Sequence, residues 1–172
     1  MKNYKILFAE LDGTLIKTKS GETFPKGIWD MEFRFEVLDA IKKIQPLALL
    51  IVSNQGGIEK GFVDQRHFEF KISYVENSIR EYIGAVTNHR YCSSNDKDDK
   101  NRKPNTGMLD ELFHVTQIGL FRFERITKED CLMIGDASGK ESQFSDTDKK
   151  TAENFGCDYL DVDDFVKLVN NK

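Results

Sequence analysis

The chain has 172 residues, 39% hydrophobic and 31% charged, with 25 basic against 29 acidic residues and a net charge of -4. That length fits one domain spanning residues 1–172, and it allows about 70% of the unfolded surface to be buried without disulfide or metal staples. The composition excludes a disordered, collagen-like or membrane-embedded chain, and the acidic balance does not advertise a nucleic-acid binder, although a local basic patch can oppose the global sign.

In chain order, residues 5–11 form a short apolar run ending in acids, as a strand buried on both faces would. Its apolar stretch, Ile6, Leu7, Phe8 and Ala9, is too short for a signal peptide. Residues 14–35 are polar and aromatic, with Gly21, Pro25, Gly27 and Trp29, and read as a long flap loop. Residues 36–44 put Val37, Leu38, Ile41 and Ile44 on one helical face. A second buried strand covers 47–53; its apolar part, 47–52, is the longest such run and far short of a membrane span. Residues 64–82 repeat the helical spacing with Phe68, Ile72, Val75 and Ile79. A third strand starts near Ala85 and closes at Tyr91, followed by the charge-rich run 93–104, whose residues 96–100 read as a solvated loop. A helix over 106–118, a strand over 131–135, a helix over 145–155 and a weak strand over 157–160 complete the pattern. Alternating strands and helices predict an α/β fold with a doubly wound parallel sheet of about five strands, right-handed crossovers and helices on both faces. The intervals between elements leave no room for a folded cap domain. Cys92, Cys131 and Cys157 are too few and too scattered for a disulfide framework, so a reduced, cytoplasmic, soluble protein is expected.

In an open parallel sheet, ligands bind beyond the carboxyl ends of the strands. The distinctive residues fall there: Glu10-Leu11-Asp12-Gly13-Thr14 after the first strand, Ser53-Asn54-Gln55-Gly56-Gly57 after the second, Lys103-Pro104 after the third, and Gly135-Asp136-Ala137-Ser138-Gly139 after the fourth. Singly, the acids read as turn formers, Ser-Asn as a helix cap and the lysine as a surface charge. In this order they read as one site. Acids from two strand ends can hold a hard divalent cation, and a hydroxyl, backbone amides and a lysine make a phosphate cradle. Together they imply metal-assisted phosphoryl transfer.

These motifs resemble those of the haloacid dehalogenase superfamily of phosphatases, a Rossmann-like three-layer fold. Within it the chain is most similar to the 3′-phosphatase domains of polynucleotide kinase-phosphatases. That narrower likeness rests on Ser20-Gly21-Glu22-Thr23-Phe24-Pro25, on Ser53-Asn54-Gln55 with Gly57-Ile58, and on Arg102-Lys103-Pro104 with Thr106-Gly107-Met108. It also rests on Gly135-Asp136-Ala137-Ser138-Gly139 and on Phe144-Ser145-Asp146-Thr147-Asp148 with Ala152, Asn154 and Gly156. The resemblance implies Glu10 as nucleophile and Asp12 as general acid and then base. Ser53, Asn54 and Lys103 are implied at the phosphate, and Glu10, Asp136 and the Asp12 carbonyl as ligands of Mg2+. For Asp148 it implies a supporting acid beside Lys103 or a metal-bound water; a charge at a helix N-terminus is the equal alternative. The implied substrate is the 3′-phosphate end of a nucleic acid, with Lys17, Lys19, Arg102 and Lys140 as candidate backbone contacts.

The chain departs from the motif at its first residue, where the family carries Asp and this sequence has Glu10. An extra methylene carries a carboxylate about 1.5 Å further from the backbone. A natural enzyme of low activity, a non-catalytic relative that binds phosphorylated ends, and a sequence altered to trap substrate all fit that departure. A related subfamily acting on histidinol or sugar phosphates carries a zinc loop before the lysine. Here that region offers only His89 and Cys92, short of the four ligands of a closed zinc site, so no zinc is expected and small phosphomonoesters rank second as substrates. Residues 135–142, GDASGKES, miss the phosphate-binding loop of nucleotide kinases by one position, and Glu141 stands where Ser or Thr is needed.

Overall fold

The computed structural model describes residues 2–22, 25, 27–120, 125–141, 143 and 145–171. Thr23, Phe24 and Phe144 of the motifs above, and Ser142 of the GDASGKES run, lie outside them.

Five strands form one parallel sheet: β1 (Ile6–Ala9), β4 (Ala48–Asn54), β5 (Val86–Cys92), β6 (Cys131–Gly135) and β7 (Asp158–Asp161). Their order is β5-β4-β1-β6-β7. The crossovers are helical: α1 (Phe35–Ile44) between β1 and β4, α2 (Gln65–Ile83) between β4 and β5, α3 (Gly107–Leu120) between β5 and β6, and α4 (Thr147–Phe155) between β6 and β7. A final helix, α5 (Val162–Asn170), follows. The strand order reverses between β1 and β6, the kind of switch point at which open α/β sheets bind ligands.

Alternation along the strands decides which side chains meet which helices. From β1, Leu7 and Ala9 join Leu49, Ile51, Leu132 and Ile134 in a core under α1, α2 and α5. Ile6 and Phe8 join Leu50, Val52, Cys131 and Met133 in a second core under α3 and α4. Phe8 meets Phe155 of α4 edge to face, with ring centroids 5.4 Å apart. β1, β4 and β6 are buried on both sides, which explains their near-continuous apolar sequences. At α2, Asp64 caps the amino end by accepting a hydrogen bond from the His67 N–H, and Gly84, in the left-handed region, ends the helix.

The interval read as an irregular flap contains an antiparallel hairpin, β2 (Ile16–Thr18) with β3 (Met31–Phe33). Thr18 pairs with Met31 and Ile16 with Phe33, and no cap domain occurs among the described residues. α5 was not expected from the sequence. In the loop after β5, Asp96, Lys97, Asp98 and Lys100 are exposed, as expected for a solvated stretch. The rest of that loop is internally bonded: the Asn105 side-chain amide donates to the carbonyls of Lys97 and Asp99, and Arg102 donates to that of Ser94. No helix among the described residues is long and apolar enough to cross a membrane.

Candidate active site

β1, β4 and β6 end at one edge of the sheet, and the loop after β5 folds back onto it. Glu10 follows β1 and is buried. Ser53, near the end of β4, donates its hydroxyl to Glu10 Oε1 at 2.6 Å. Lys103 Nζ ion-pairs with Glu10 Oε2 and with Asp148 Oδ1, the latter at 2.7 Å. All three partners are at least nine-tenths buried. One lysine thus compensates two carboxylates in the protein interior, where an unpaired charge would cost several kcal/mol, on the order of 3–5. Asp148 lies in the first turn of α4 and also accepts the Ala137 N–H at 3.1 Å, which ties α4 to the loop carrying Asp136. A Cβ at Gly135 would collide with the Asp148 carboxylate, so that close approach requires glycine.

Asp12 sits two residues beyond Glu10, and its carboxylate is held from both sides. Gln55 Nε2 donates to Oδ2 at 2.7 Å and to Ser53 Oγ at 2.9 Å. Lys71 Nζ, reaching across from α2, lies 3.4 Å from Oδ1. Between Asp12 and Thr14, Gly13 has a φ of 82°, and a Cβ there would overlap the Asp136 carboxylate. The position needs glycine on both counts.

Asn54, expected at the phosphate, holds the backbone of Lys103 with its side chain. Its Nδ2 donates to the Lys103 carbonyl at 3.0 Å and its Oδ1 accepts the Lys103 N–H at 2.9 Å. It is the anchor of the lysine-bearing loop. Of the candidate nucleic-acid contacts, Lys140 pairs with Asp161 and Asp164, and Arg102 is bonded to Ser94. Lys17 is exposed opposite Glu32 on the hairpin, and Lys19 is exposed beside it.

Asp136 bears on the metal expected from the motifs. The Thr14 hydroxyl donates to it at a long 3.4 Å, and no cationic side chain among the described residues forms an ion pair with it. Burial, followed by the nearby Asp148 carboxylate, pushes it up to about 6. A part-buried carboxylate with no ion-pair partner of its own suits a hard cation. No group of three or more His, Cys, Asp or Glu side chains is arranged to hold a metal among the described residues. The donor chemistry nonetheless fits magnesium, which is commonly held by one or two carboxylates plus water. Zinc and copper sites are usually built on nitrogen or sulfur ligands. His89 and Cys92 serve elsewhere: His89 Nδ1 contacts Glu76 on α2, and the buried Cys92 thiol faces the Ser94 carbonyl.

Gln55, Lys71, Thr14 and Arg34, whose Nη1 donates to the Gly13 carbonyl at 2.7 Å, are contributors to which sequence reasoning assigned no role. Gln55 and Thr14 stood inside quoted motifs, so their position was a usable signal. Lys71 and Arg34 carried none, because only the fold brings α2 and the end of the hairpin to the Asp12 turn.

Comparison with known proteins follows the same lines. The family model described as polynucleotide kinase 3 phosphatase matches residues 5–165. An uncharacterised 20.8 kDa protein of Autographa californica nuclear polyhedrosis virus is 29% identical over 97% of this chain and 88% of its own length. A bifunctional polynucleotide phosphatase/kinase of Schizosaccharomyces pombe is 30% identical over 95% of this chain, which spans 38% of that relative. Among solved structures, a D,D-heptose 1,7-bisphosphate phosphatase from B. bronchiseptica, complexed with magnesium and phosphate, superposes with a TM-score of 0.67. It is 18% identical and the match covers 90% of this chain and 78% of the other.

Proposed function

Because the chain belongs to the polynucleotide kinase 3 phosphatase family, within the haloacid dehalogenase phosphatases, we propose that it is a magnesium-dependent phosphomonoesterase that removes 3′-phosphates from nucleic-acid ends. The observation that carries the reading is the meeting of Glu10, Ser53 and Lys103 from three separate segments in one buried cluster, with the Asp12 carboxylate linked to it through Gln55.

In this mechanism a Glu10 carboxylate oxygen attacks phosphorus, forming an acyl-phosphate as the phosphorus–ester oxygen bond breaks. Asp12 gives its proton to the departing alkoxide. Asp12 then takes a proton from water, whose oxygen attacks phosphorus; the acyl–oxygen bond to phosphorus breaks, orthophosphate leaves and the Glu10 carboxylate is restored. Ser53 and Lys103 stabilise charge on the phosphate oxygens as it redistributes. Asp136, Glu10 and the Asp12 carbonyl would hold magnesium, which when bound supplies further neutralisation of the phosphate charge. Asn54 fixes the backbone of Lys103 so that its ammonium is already in place.

No lid domain occurs among the described residues, which suits the end of a large substrate. The test is a panel comprising a 3′-phosphorylated oligonucleotide, histidinol phosphate and a heptose bisphosphate, with magnesium and with EDTA. The expected result is the highest kcat/KM on the oligonucleotide, abolished by EDTA. Preference for either small phosphate assigns the chain to the small-molecule class, and binding of the oligonucleotide without turnover assigns it to non-catalytic end binders.

A further inference from the structure

We propose that Lys71 and Gln55 are positioning residues for the proton-transfer step, holding the Asp12 carboxylate at both oxygens so that it faces the leaving group. The proposal rests on the phosphatase reading of the site. Gln55 Nε2 takes Oδ2 at 2.7 Å and Lys71 Nζ takes Oδ1 at 3.4 Å. With both oxygens engaged, rotation of the carboxylate about its Cβ–Cγ bond would break a contact, so one orientation is selected.

Both residues are more than nine-tenths buried, which is unusual for a lysine in the middle of a helix. α2 needs no charge there for its own stability, because its packing face is already supplied by Phe68, Ile72, Val75 and Ile79. The lysine instead crosses the Phe68 ring, its ammonium 5.1 Å from the centroid, and finds its hydrogen-bond acceptor in Asp12. Beside the pair opens a small cavity of about 120 Å³, lined by Lys71, Gln55, Asn54, Phe68, Pro25 and Gly27. Two of its lining residues, Gln55 and Lys71, are the ones that hold Asp12. The Gln55 amide also reaches Ser53 Oγ at 2.9 Å, so the acid–base carboxylate is mechanically tied to the phosphate-facing hydroxyl.

A residue that aims the proton donor has a signature that a merely structural residue lacks. An alkyl leaving group requires a proton, whereas p-nitrophenolate departs without one. Kinetics on a 3′-phosphorylated oligonucleotide and on p-nitrophenyl phosphate, for the native chain and for Glu10→Asp, therefore test the assignment. In Lys71→Met, kcat/KM, which reports the steps up to the acyl-phosphate, should fall roughly 10-fold or more on the oligonucleotide against less than about 3-fold on p-nitrophenyl phosphate, because only the alkoxide needs the aimed proton to depart, while the later role of Asp12 as base is common to both substrates. Lys71→Arg, which keeps the charge, should recover most of the loss. Gln55→Leu should show the same substrate-selective loss, and it carries the test if Lys71→Met proves unfolded by circular dichroism. Equal losses on both substrates, or no loss on either, overturn the positioning role while leaving the phosphatase reading intact. Absence of turnover by both native chain and Glu10→Asp on both substrates overturns the phosphatase reading, and this proposal with it.

Discussion

Glu10 stands where the sequence reading expected Asp, and its two oxygens are taken by Ser53 and Lys103, the groups proposed above to receive the phosphate. An aspartate at this position would withdraw the carboxylate by about one bond length, some 1.5 Å, toward the end of β1. That shift would loosen the ion pair with Lys103 and leave room between carboxylate and ammonium for a phosphoryl group. Glu10→Asp should therefore raise magnesium-dependent turnover by roughly 10²-fold, the scale on which a ~1 Å misplacement acts. Adding Asp12→Asn should erase the gain, because the leaving alkoxide then has no proton donor. A fall in turnover on Glu10→Asp would show that the site is tuned to the longer side chain.

At the level of elements, the hairpin is more than a cover. Arg34, which leads from β3 into α1, donates its backbone N–H to the Leu15 carbonyl at 2.9 Å and its Nη1 to the Gly13 carbonyl at 2.7 Å. Its remaining nitrogens reach Glu36 and Asp163 of α5. The turn that carries Asp12 is thus pinned by the hairpin on one side and, through the same guanidinium, by α5 on the other. Arg34→Met should cost about 1–2 kcal/mol in urea unfolding, the scale for losing hydrogen bonds to a charged donor. It should also lower kcat by roughly 10-fold as the turn relaxes; a stability loss with unchanged kcat would make Arg34 structural only. The same elements show what was legible beforehand. β1, β4 and β6 were readable because burial on both faces writes a continuous apolar run, and α1 and α2 because their apolar residues recur at helical spacing. The hairpin was not, since three-residue strands carry too little alternation to stand out from a loop. α5 was readable in principle: Asp161 caps it, and Val162, Phe165 and Val169 share its buried face. It was missed because so few residues lie beyond the weak last strand. Glu10, Asp12, Ser53, Lys103 and Asp136 could be found at strand ends by their order alone. The partners of Asp12 could not, since a lysine on a helix reads as surface charge until the fold buries it.

For the molecule as a whole, the hydrophobic energy is stored in two cores on opposite faces of the sheet, while the buried charges of Glu10, Lys71, Lys103 and Asp148 gather at one edge. Most of those charges are compensated: Lys103 answers Glu10 and Asp148, and Lys71 answers Asp12. Asp136 has no ion-pair partner among the described residues, and the global stability should reveal it. Burial chiefly, and Asp148 in second place, raise its carboxyl from 3.8 to about 6. The folded chain therefore holds this proton more tightly than the unfolded chain does. The associated penalty is absent below about pH 4, grows as pH rises between the two values, and is complete above about pH 6. At about 1.4 kcal/mol per unit, a shift of this size destabilises the metal-free protein by roughly 2–3 kcal/mol at neutral pH. Asp136→Asn should accordingly raise the Tm in EDTA at pH 7.5 by on the order of 5 °C, given 2–4 °C per kcal/mol for a chain of this size, and the gain should vanish at pH 4. Magnesium should do for the native chain what the substitution does, by supplying the missing positive charge to the folded state alone, and it should raise the Tm of Asp136→Asn far less. Thermal scans of both proteins at the two pH values, with EDTA or with magnesium, separate the outcomes. If Asp136→Asn melts lower than the native chain in EDTA at pH 7.5, Asp136 stabilises the fold and the idea of a carboxylate retained for function at the expense of stability is wrong. If magnesium raises both melting temperatures equally, the cation binds elsewhere.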